Sequence, residues 1–428
     1  FNPRRHPPTP NHRQPLGDEA GGGIIGAGMG FLHDTRGVDV AALRRYRFGQ
    51  VQKELQQRDV AAVVLFDPVN IRYATDVTNM QVWVMHNRSR CAFVPAEGKA
   101  VIFEFHNCAH LSDGVEQVGE LRPAISWYYF GAGPRSPEKA REWAAAIADL
   151  ARQCGGGNRR VAFDHVDPLG AAELQSLGIE IHNGQEVMEM ARIRKSAEEM
   201  KAMRASIATC ERALAEMEQA LRPGITENEL WSILHQVNIR EGGEWIETRL
   251  LSSGPRTNPW FQECSDRVIN DGDLVALDTD LIGPFGYCAD ISRTWHCGDS
   301  KPTAEQRRLF AIALEQIEYN TGLLRAGMTF REFVESGYEL PDNCKPNRYS
   351  VVAHGVGLCD EYPHIVYPQD MKNSGYDGVI HDGMVLCVES YVGVHGGGEG
   401  VKLEQQVVVG ERGAEVLSNY PWCGKLRG

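Results

Sequence analysis

Between Gly272 and Gly298 the chain reads GDLVALDTDLIGPFGYCADISRTWHCG, and few folds can accommodate such a stretch. Leu274, Val275, Ala276 and Leu277 read as a buried strand that runs straight into Asp278 and Asp280. Residues two apart share a strand face, so the pleat is expected to aim both carboxylates the same way. Gly283, Pro284 and Gly286 mark a turn, and a second β-rich run brings Asp290 back alongside. Three acids converging from an apolar hairpin repel one another and are costly to desolvate. Alone, such a hairpin is more often a polar sheet edge than a metal site. A bound cation is the alternative, and residues further along the chain favour it.

Those residues lie in the last quarter of the sequence. His354 follows the β-branched run Val351-Val352 and precedes Gly355 and Gly357, which let a backbone come close to something. Glu389 ends the apolar run from Met384, and Glu404 ends Val401-Lys402-Leu403. Asp278, Asp280, Asp290, His354, Glu389 and Glu404 are too many donors for one zinc ion, which takes about four. They suit two carboxylate-bridged ions of manganese, iron, cobalt or zinc.

Composition narrows the rest. The chain has 428 residues, 42% hydrophobic and 24% charged, enough for two or three domains with real cores. A net charge of −13 without a long basic run argues against nucleic acid or an anionic membrane surface as partner. The 11 cysteines are scattered, with no C-x-x-C pair, as expected of reduced thiols in a cytoplasmic protein. No apolar run approaches the roughly 20 residues of a membrane helix. The sequence starts at Phe1 without an initiator Met, so residues are expected to precede it; no signal peptide is legible in the segment beginning there.

Three parts are expected: an arm over residues 1–37, an α/β domain over 38–190 and a second domain over 191–428. In the Pro- and Gly-rich arm, Gly26-Ala27-Gly28-Met29-Gly30 imitates a dinucleotide loop but lacks the strand and βαβ unit such a loop requires. Within 38–190, helices are expected over 41–57 and 138–154, and strands over 60–66, 91–95, 100–105 and 160–164. The segment 79–87 reads as a loop rich in large side chains, among them Trp83.

Ser196 and Glu199 form a capping-box pair that opens a long helix. Met200, Met203, Ile207, Cys210, Leu214, Met217 and Leu221 make its apolar stripe. Arg222-Pro-Gly224-Ile-Thr226-Glu-Asn-Glu229-Leu230 ends that helix and caps the next. Arg325-Ala-Gly327-Met-Thr329-Phe-Arg-Glu332-Phe333 repeats the device. Two such junctions, each ahead of acid-bearing strands, point to a duplicated ααββ unit.

The order Gly272-Asp273-Leu-Val, Ala289-Asp290-Ile-Ser-Arg-Thr, His354-Gly-Val-Gly, Glu389, Glu404 resembles the five-ligand signature of the pita-bread metallopeptidase superfamily, which includes methionine aminopeptidase, prolidase and creatinase. The resemblance spans residues 40–428. It implies an α+β chain: a pita-bread catalytic domain behind a smaller creatinase-like N-terminal α/β domain. It also implies a dinuclear metal site and a homodimer whose N-terminal domain reaches the partner's site.

The departures are specific. Asp278 stands twelve residues before Asp290 where the peptidases have eleven, and Asp280 is an additional acid. The peptidases' two histidines are replaced by Trp260, after Pro259, and by Glu361, after Asp360. This combination is similar to the bacterial dimethylsulfoniopropionate lyases of the pita-bread type. That similarity implies a β-elimination giving dimethyl sulfide and acrylate from a small sulfonium zwitterion. Iron is the first metal it implies, with manganese, zinc, cobalt and nickel also compatible. Asp360 is expected to be the general base, Tyr349 to orient the substrate, and Trp83 or Trp260 to face the sulfonium cation. An Xaa-Pro metallopeptidase and a non-catalytic binding module are the alternative readings.

Overall fold

The computed structural model describes residues 37–428. The expected arm lies outside the described residues except for Gly37, and so does its glycine-rich stretch.

The first half builds a six-stranded mixed sheet. Its spatial order is Val118–Pro123, Ala100–Glu104, Cys91–Pro95, Ala62–Leu65, Arg160–Phe163, Glu180–Asn183. Ala62–Leu65 pairs antiparallel with Cys91–Pro95 and parallel with Arg160–Phe163, so it sits at the centre. Its unbroken apolar run follows from burial on both faces. Val63 and Leu65 face one core, shared with helix Val40–Gln57, while Val64 and Phe66 face another, packed under helix Ser136–Cys154. The expected loop around Trp83 is instead a short helix, Gln81–His86, which packs on helix Pro68–Thr75.

Helix Ala197–Ala220 opens with Ser196 accepting from the Glu199 amide while the Glu199 carboxylate accepts from the Ser196 amide. Met203, Ile207, Cys210, Leu214 and Met217 of its stripe are fully buried. The repeated junctions match bond for bond. Thr226 caps helix Glu227–Arg240 through Glu229, and Thr329 caps Phe330–Glu335 through Glu332. Gly224 N–H donates to Ile269 O and Gly327 N–H to Ile380 O; Ile269 and Ile380 return bonds to Ile225 and Met328. Glu227 and Phe330 then donate to Arg267 and Gly378. Helix caps recur by chance, but three equivalent long-range bonds in each copy do not, and they identify a duplicated unit.

Each repeat contributes β-structure to one wall of the site. The first supplies two three-stranded sheets, one centred on Leu274–Leu277 and the other on Leu281–Ile282. The second supplies a five-stranded antiparallel sheet in which Ala353–Val356, Val385–Gly393 and Gly400–Gly410 lie side by side. The two walls are stitched together: Lys402 N–H donates to Thr294 Oγ1, Thr294 Oγ1 donates to Lys402 O, and Glu404 N–H donates to Ser292 O.

Replacing either capping threonine, Thr226→Ala or Thr329→Ala, removes the side-chain acceptor for the Glu229 or Glu332 amide at a helix start. Each should lower unfolding free energy by about 1 kcal/mol, seen as a lower urea midpoint with unchanged slope. No change in midpoint would mean these boxes are decorative.

Candidate metal centre

The strand Leu274–Leu277 ends just before Asp278, and the chain does not continue as a regular strand. Asp280 has φ of 36° and therefore sits in the left-handed region. Asp278 and Asp280 do converge, but through this kink and not through the strand pleat expected from the sequence. Thr279, between them, donates to Ala289 O and accepts from Ile291 N–H, which clips the outgoing chain to the returning one beside Asp290.

On the opposite wall, antiparallel register sets Glu389 directly across from Glu404. Like charges facing each other destabilise a sheet unless something neutralises them. His354 enters from the neighbouring strand at a β-bulge between His354 and Gly355. Its Nε2 lies 3.3 Å from Glu389 Oε1, 3.5 Å from Asp290 Oδ2 and 3.7 Å from Glu404 Oε1.

Donor atoms fall into three overlapping groups, each spanning no more than 4.8 Å: Asp290, His354, Cys387 and Glu404; Asp278, Glu389 and Glu404; and Asp278, Asp280 and Asp290. Shared carboxylates joining adjacent cation positions are the layout of a dinuclear centre. Glu389 Oε1 and Glu404 Oε1 are buried with no hydrogen-bond partner, a costly state for protein atoms alone. The residues present therefore fit divalent metal ions.

Charge crowding is severe. Asp278 is pushed up to about 7, chiefly by burial and further by Glu404 and Glu389, against the pull of Lys402. Asp280 is pushed up to about 8 by burial, Asp278 and Asp360. Burial, Asp280 and Glu404 hold Asp290 well above the carboxylate range. Burial alone would raise Glu404 too, but Lys402 and His354 overcome it and hold Glu404 well below. Burial opposes charge on His354, yet Asp360 and Glu389 raise it well above the usual imidazole value.

Lys402 was missed by counting acids. Its Nζ, fully buried, lies 2.6 Å from Glu389 Oε2, 3.0 Å from Asp278 Oδ2 and 2.7 Å from Ser292 Oγ. A signal existed: Lys402 stands two residues before Glu404 and so shares its strand face. Cys387 stands in the same relation to Glu389, and Ser292 follows Asp290 by two. Glu247 was also missed; at the rim, it is pushed up to about 7 by desolvation, Asp280 and Asp360.

The remaining candidates separate clearly. Asp360 Oδ1 lies 3.5 Å from His354 Nδ1, and its side chain is 57% exposed. Glu361, next along the strand, points inward and is held by Lys195 at 2.7 Å, Arg192 at 3.4 Å and the Leu358 amide. Tyr349 lays its ring 4.4 Å from Lys402 Nζ and stacks on the exposed Phe261. Trp260 is buried against Tyr391. Trp83, 38% exposed, sits edge-on to Phe105 in the first half of the chain.

With this geometry in view, the likenesses to known proteins are informative. Residues 201–411 match metallopeptidase family M24. The chain is 41% identical to dimethylsulfoniopropionate lyase DddP of Roseovarius nubinhibens over 395 residues, covering 91% of this chain and 89% of that protein. The same identity and share of this chain hold for dimethylsulfoniopropionate lyase DddP of Roseobacter denitrificans, 88% of which is covered. Among solved structures, an Xaa-Pro dipeptidase from Bacillus anthracis superposes with a TM-score of 0.70 at 20% identity, covering 89% of this chain and 98% of that one. Dipeptidase PepE from Mycobacterium ulcerans gives 0.69 at 22%, covering 90% and 98%. The α+β pita-bread fold that the family resemblance implies is thus the observed one.

Groups that hold protons up to about pH 7–8 must release them to a metal ion. Titrating metal-free protein with Mn²⁺ at pH 6.5, in buffers of differing ionisation enthalpy, should show net proton release that shrinks towards pH 9. Binding without proton release at pH 6.5 would contradict the charge crowding described.

Proposed function

Because the chain belongs to metallopeptidase family M24, among the dimethylsulfoniopropionate lyases, we propose that it cleaves dimethylsulfoniopropionate by β-elimination to dimethyl sulfide and acrylate. The observation that carries the assignment of roles is the split between neighbours Asp360 and Glu361. Alternation along Asp360–Ile365 sends Glu361 into the Arg192–Lys195 ion pairs and leaves Asp360 outward, beside the His354 ring. Glu361 is a structural acid; Asp360, exposed and beside the His354 ring, is the one placed to meet substrate.

Asp278, Asp280, Asp290, His354, Glu389 and Glu404 would hold the metal ions, which would supply positive charge beside the substrate carboxylate and so make its α-hydrogen more acidic. Asp360 takes that α-proton. The C–H pair becomes the C=C bond of acrylate, and the C–S pair leaves with sulfur, turning the sulfonium into neutral dimethyl sulfide. Tyr349 remains protonated, since burial and Glu389 hold its hydroxyl well above the phenol range, and it orients the substrate as a donor. An aromatic face towards the sulfonium contributes about 0.5–2 kcal/mol, and the half-exposed Trp83 suits that role better than the buried Trp260. Both positions where the peptidases carry histidines are spent on structure here: Trp260 packs on Tyr391, and Glu361 is paired. This disfavours peptide hydrolysis.

The oxygen-and-imidazole donor set is compatible with iron, the metal we propose, as it is with manganese or zinc. All 11 cysteines are free, consistent with a reducing cytoplasm. A homodimer is also part of the proposal. The N-terminal unit of residues 38–190 exposes Met80, Val82, Trp83, Tyr129 and Phe130, a set of apolar side chains suited to a partner's surface. Covering Asp360 with that surface would give the base the drier setting its function calls for. Sedimentation should return twice the 47.5 kDa chain mass; a fully active monomer would exclude a partner-completed site.

Metal-loaded protein should release dimethyl sulfide into headspace from dimethylsulfoniopropionate and leave an Xaa-Pro dipeptide intact. Asp360→Asn should retain metal and fold while turnover falls by about 10²–10⁴-fold. Near-normal turnover in that variant would remove Asp360 from the mechanism, and dipeptide hydrolysis without sulfide would favour the peptidase reading.

A further inference from the structure

The ammonium of Lys402 divides the carboxylates of Glu389 and Glu404 each into an outer and an inner oxygen, and also touches Asp278. It holds Glu389 Oε2 at 2.6 Å, Asp278 Oδ2 at 3.0 Å and Glu404 Oε2 at 3.5 Å. Ser292 completes the backing: its Oγ lies 2.7 Å from Lys402 Nζ, 2.8 Å from Asp278 Oδ1 and 2.7 Å from Glu404 Oε2. The other oxygens of the two glutamates, Glu389 Oε1 and Glu404 Oε1, have no hydrogen-bond partner and lie 3.3 Å and 3.7 Å from His354 Nε2. All these groups are buried.

From this division, and resting on the metal-centre reading above, we infer that Lys402 is a positioning residue: a built-in counter-cation that clamps the outer carboxylate oxygens, so that Glu389 and Glu404 offer their inner ones to metal. Two physical arguments support it. First, a metal site works when its ligands are held by neighbours that fix their orientation, and Lys402 with Ser292 touches three of the five carboxylates. Second, five carboxylates against one ammonium leave four formal negative charges, the charge that two divalent ions balance. Without Lys402 the metal-free site would leave the cross-strand pair Glu389 and Glu404 with no cation on their outer oxygens, His354 reaching only the inner ones.

The role has a signature that ordinary packing lacks. Lys402 should matter most when metal is absent, because bound metal neutralises the same carboxylates. The measurement is thermal unfolding of chelator-stripped and Mn²⁺-reloaded protein, wild type beside Lys402→Met and Lys402→Arg, with metal content determined on each sample. Lys402→Met should lower the melting temperature of the stripped protein by about 3–6 °C. Mn²⁺ should restore more than half of that loss, and Lys402→Arg, which keeps the cation, should lie near wild type.

Equal lowering in stripped and reloaded Lys402→Met would show that Lys402 is core packing and overturn the inference; so would a stripped variant as stable as wild type. If Lys402→Met does not fold, Ser292→Ala is read by the same rule, a larger loss in the stripped protein supporting the clamp and an equal loss overturning it. Wild-type protein that takes up no Mn²⁺ would instead overturn the metal-centre reading itself, which metal content reports separately.

Discussion

Mutual repulsion among buried carboxylates is the constraint on which the catalytic half of this protein depends. Asp278, Asp280, Asp290, Glu389 and Glu404 are all nearly inaccessible to solvent, and strand register forces Glu389 to face Glu404. Burying like charges at this density costs far more than the packing around them can supply. Three features offset it: protons retained on the aspartates, the ammonium of Lys402 and the imidazolium of His354. The retained protons and the His354 ring lie where a metal ion would act, while Lys402 holds the glutamate oxygens behind them. The duplicated scaffold is therefore shaped around a charge problem that divalent cations solve.

The family resemblance sets Trp260 and Glu361 at two positions where the peptidases are expected to carry histidines. The structure gives both replacements a use that is structural. Trp260 fills space against Tyr391, and Glu361 ties the turn at residues 357–361 to Arg192 and Lys195 at the end of helix Gly184–Arg192. Securing Glu361 inward fixes Asp360 outward at the mouth of the site. A single strand alternation thus separates a pair of adjacent acids into one buried anchor and one exposed carboxylate beside His354, the arrangement on which the proposed role of Asp360 rests.

Much of this was legible in the sequence because it rests on local rules. Thr226 with Glu229 and Thr329 with Glu332 announce helix starts by their spacing, and the six donors stand out as acids and a histidine at the ends of apolar runs. What was hidden depends on tertiary register or on backbone departures. The sequence suggests that Asp278 and Asp280 converge by strand alternation; they converge because Asp280 leaves the strand with a positive φ. Lys402 shares a strand face with Glu404 by spacing alone, but the pairing of Val385–Gly393 with Gly400–Gly410 is what sets it among three carboxylates. Glu361 resembles a second candidate base until its partner is seen to be Lys195, 166 residues away in the chain. The short helix at Trp83 reads as a loop because six residues are too few for a helical period to show.

The central claim is that these carboxylates and His354 hold two metal ions between the two sheet walls. Anomalous diffraction from crystals of metal-loaded protein, recorded on either side of the metal's absorption edge, addresses it directly. The account predicts two anomalous peaks roughly 3.5–4 Å apart, within coordination distance of Glu389 Oε1, Glu404 Oε1 and the His354 ring. Peaks confined to other parts of the molecule, or none in protein that analyses as metal-loaded, would contradict it.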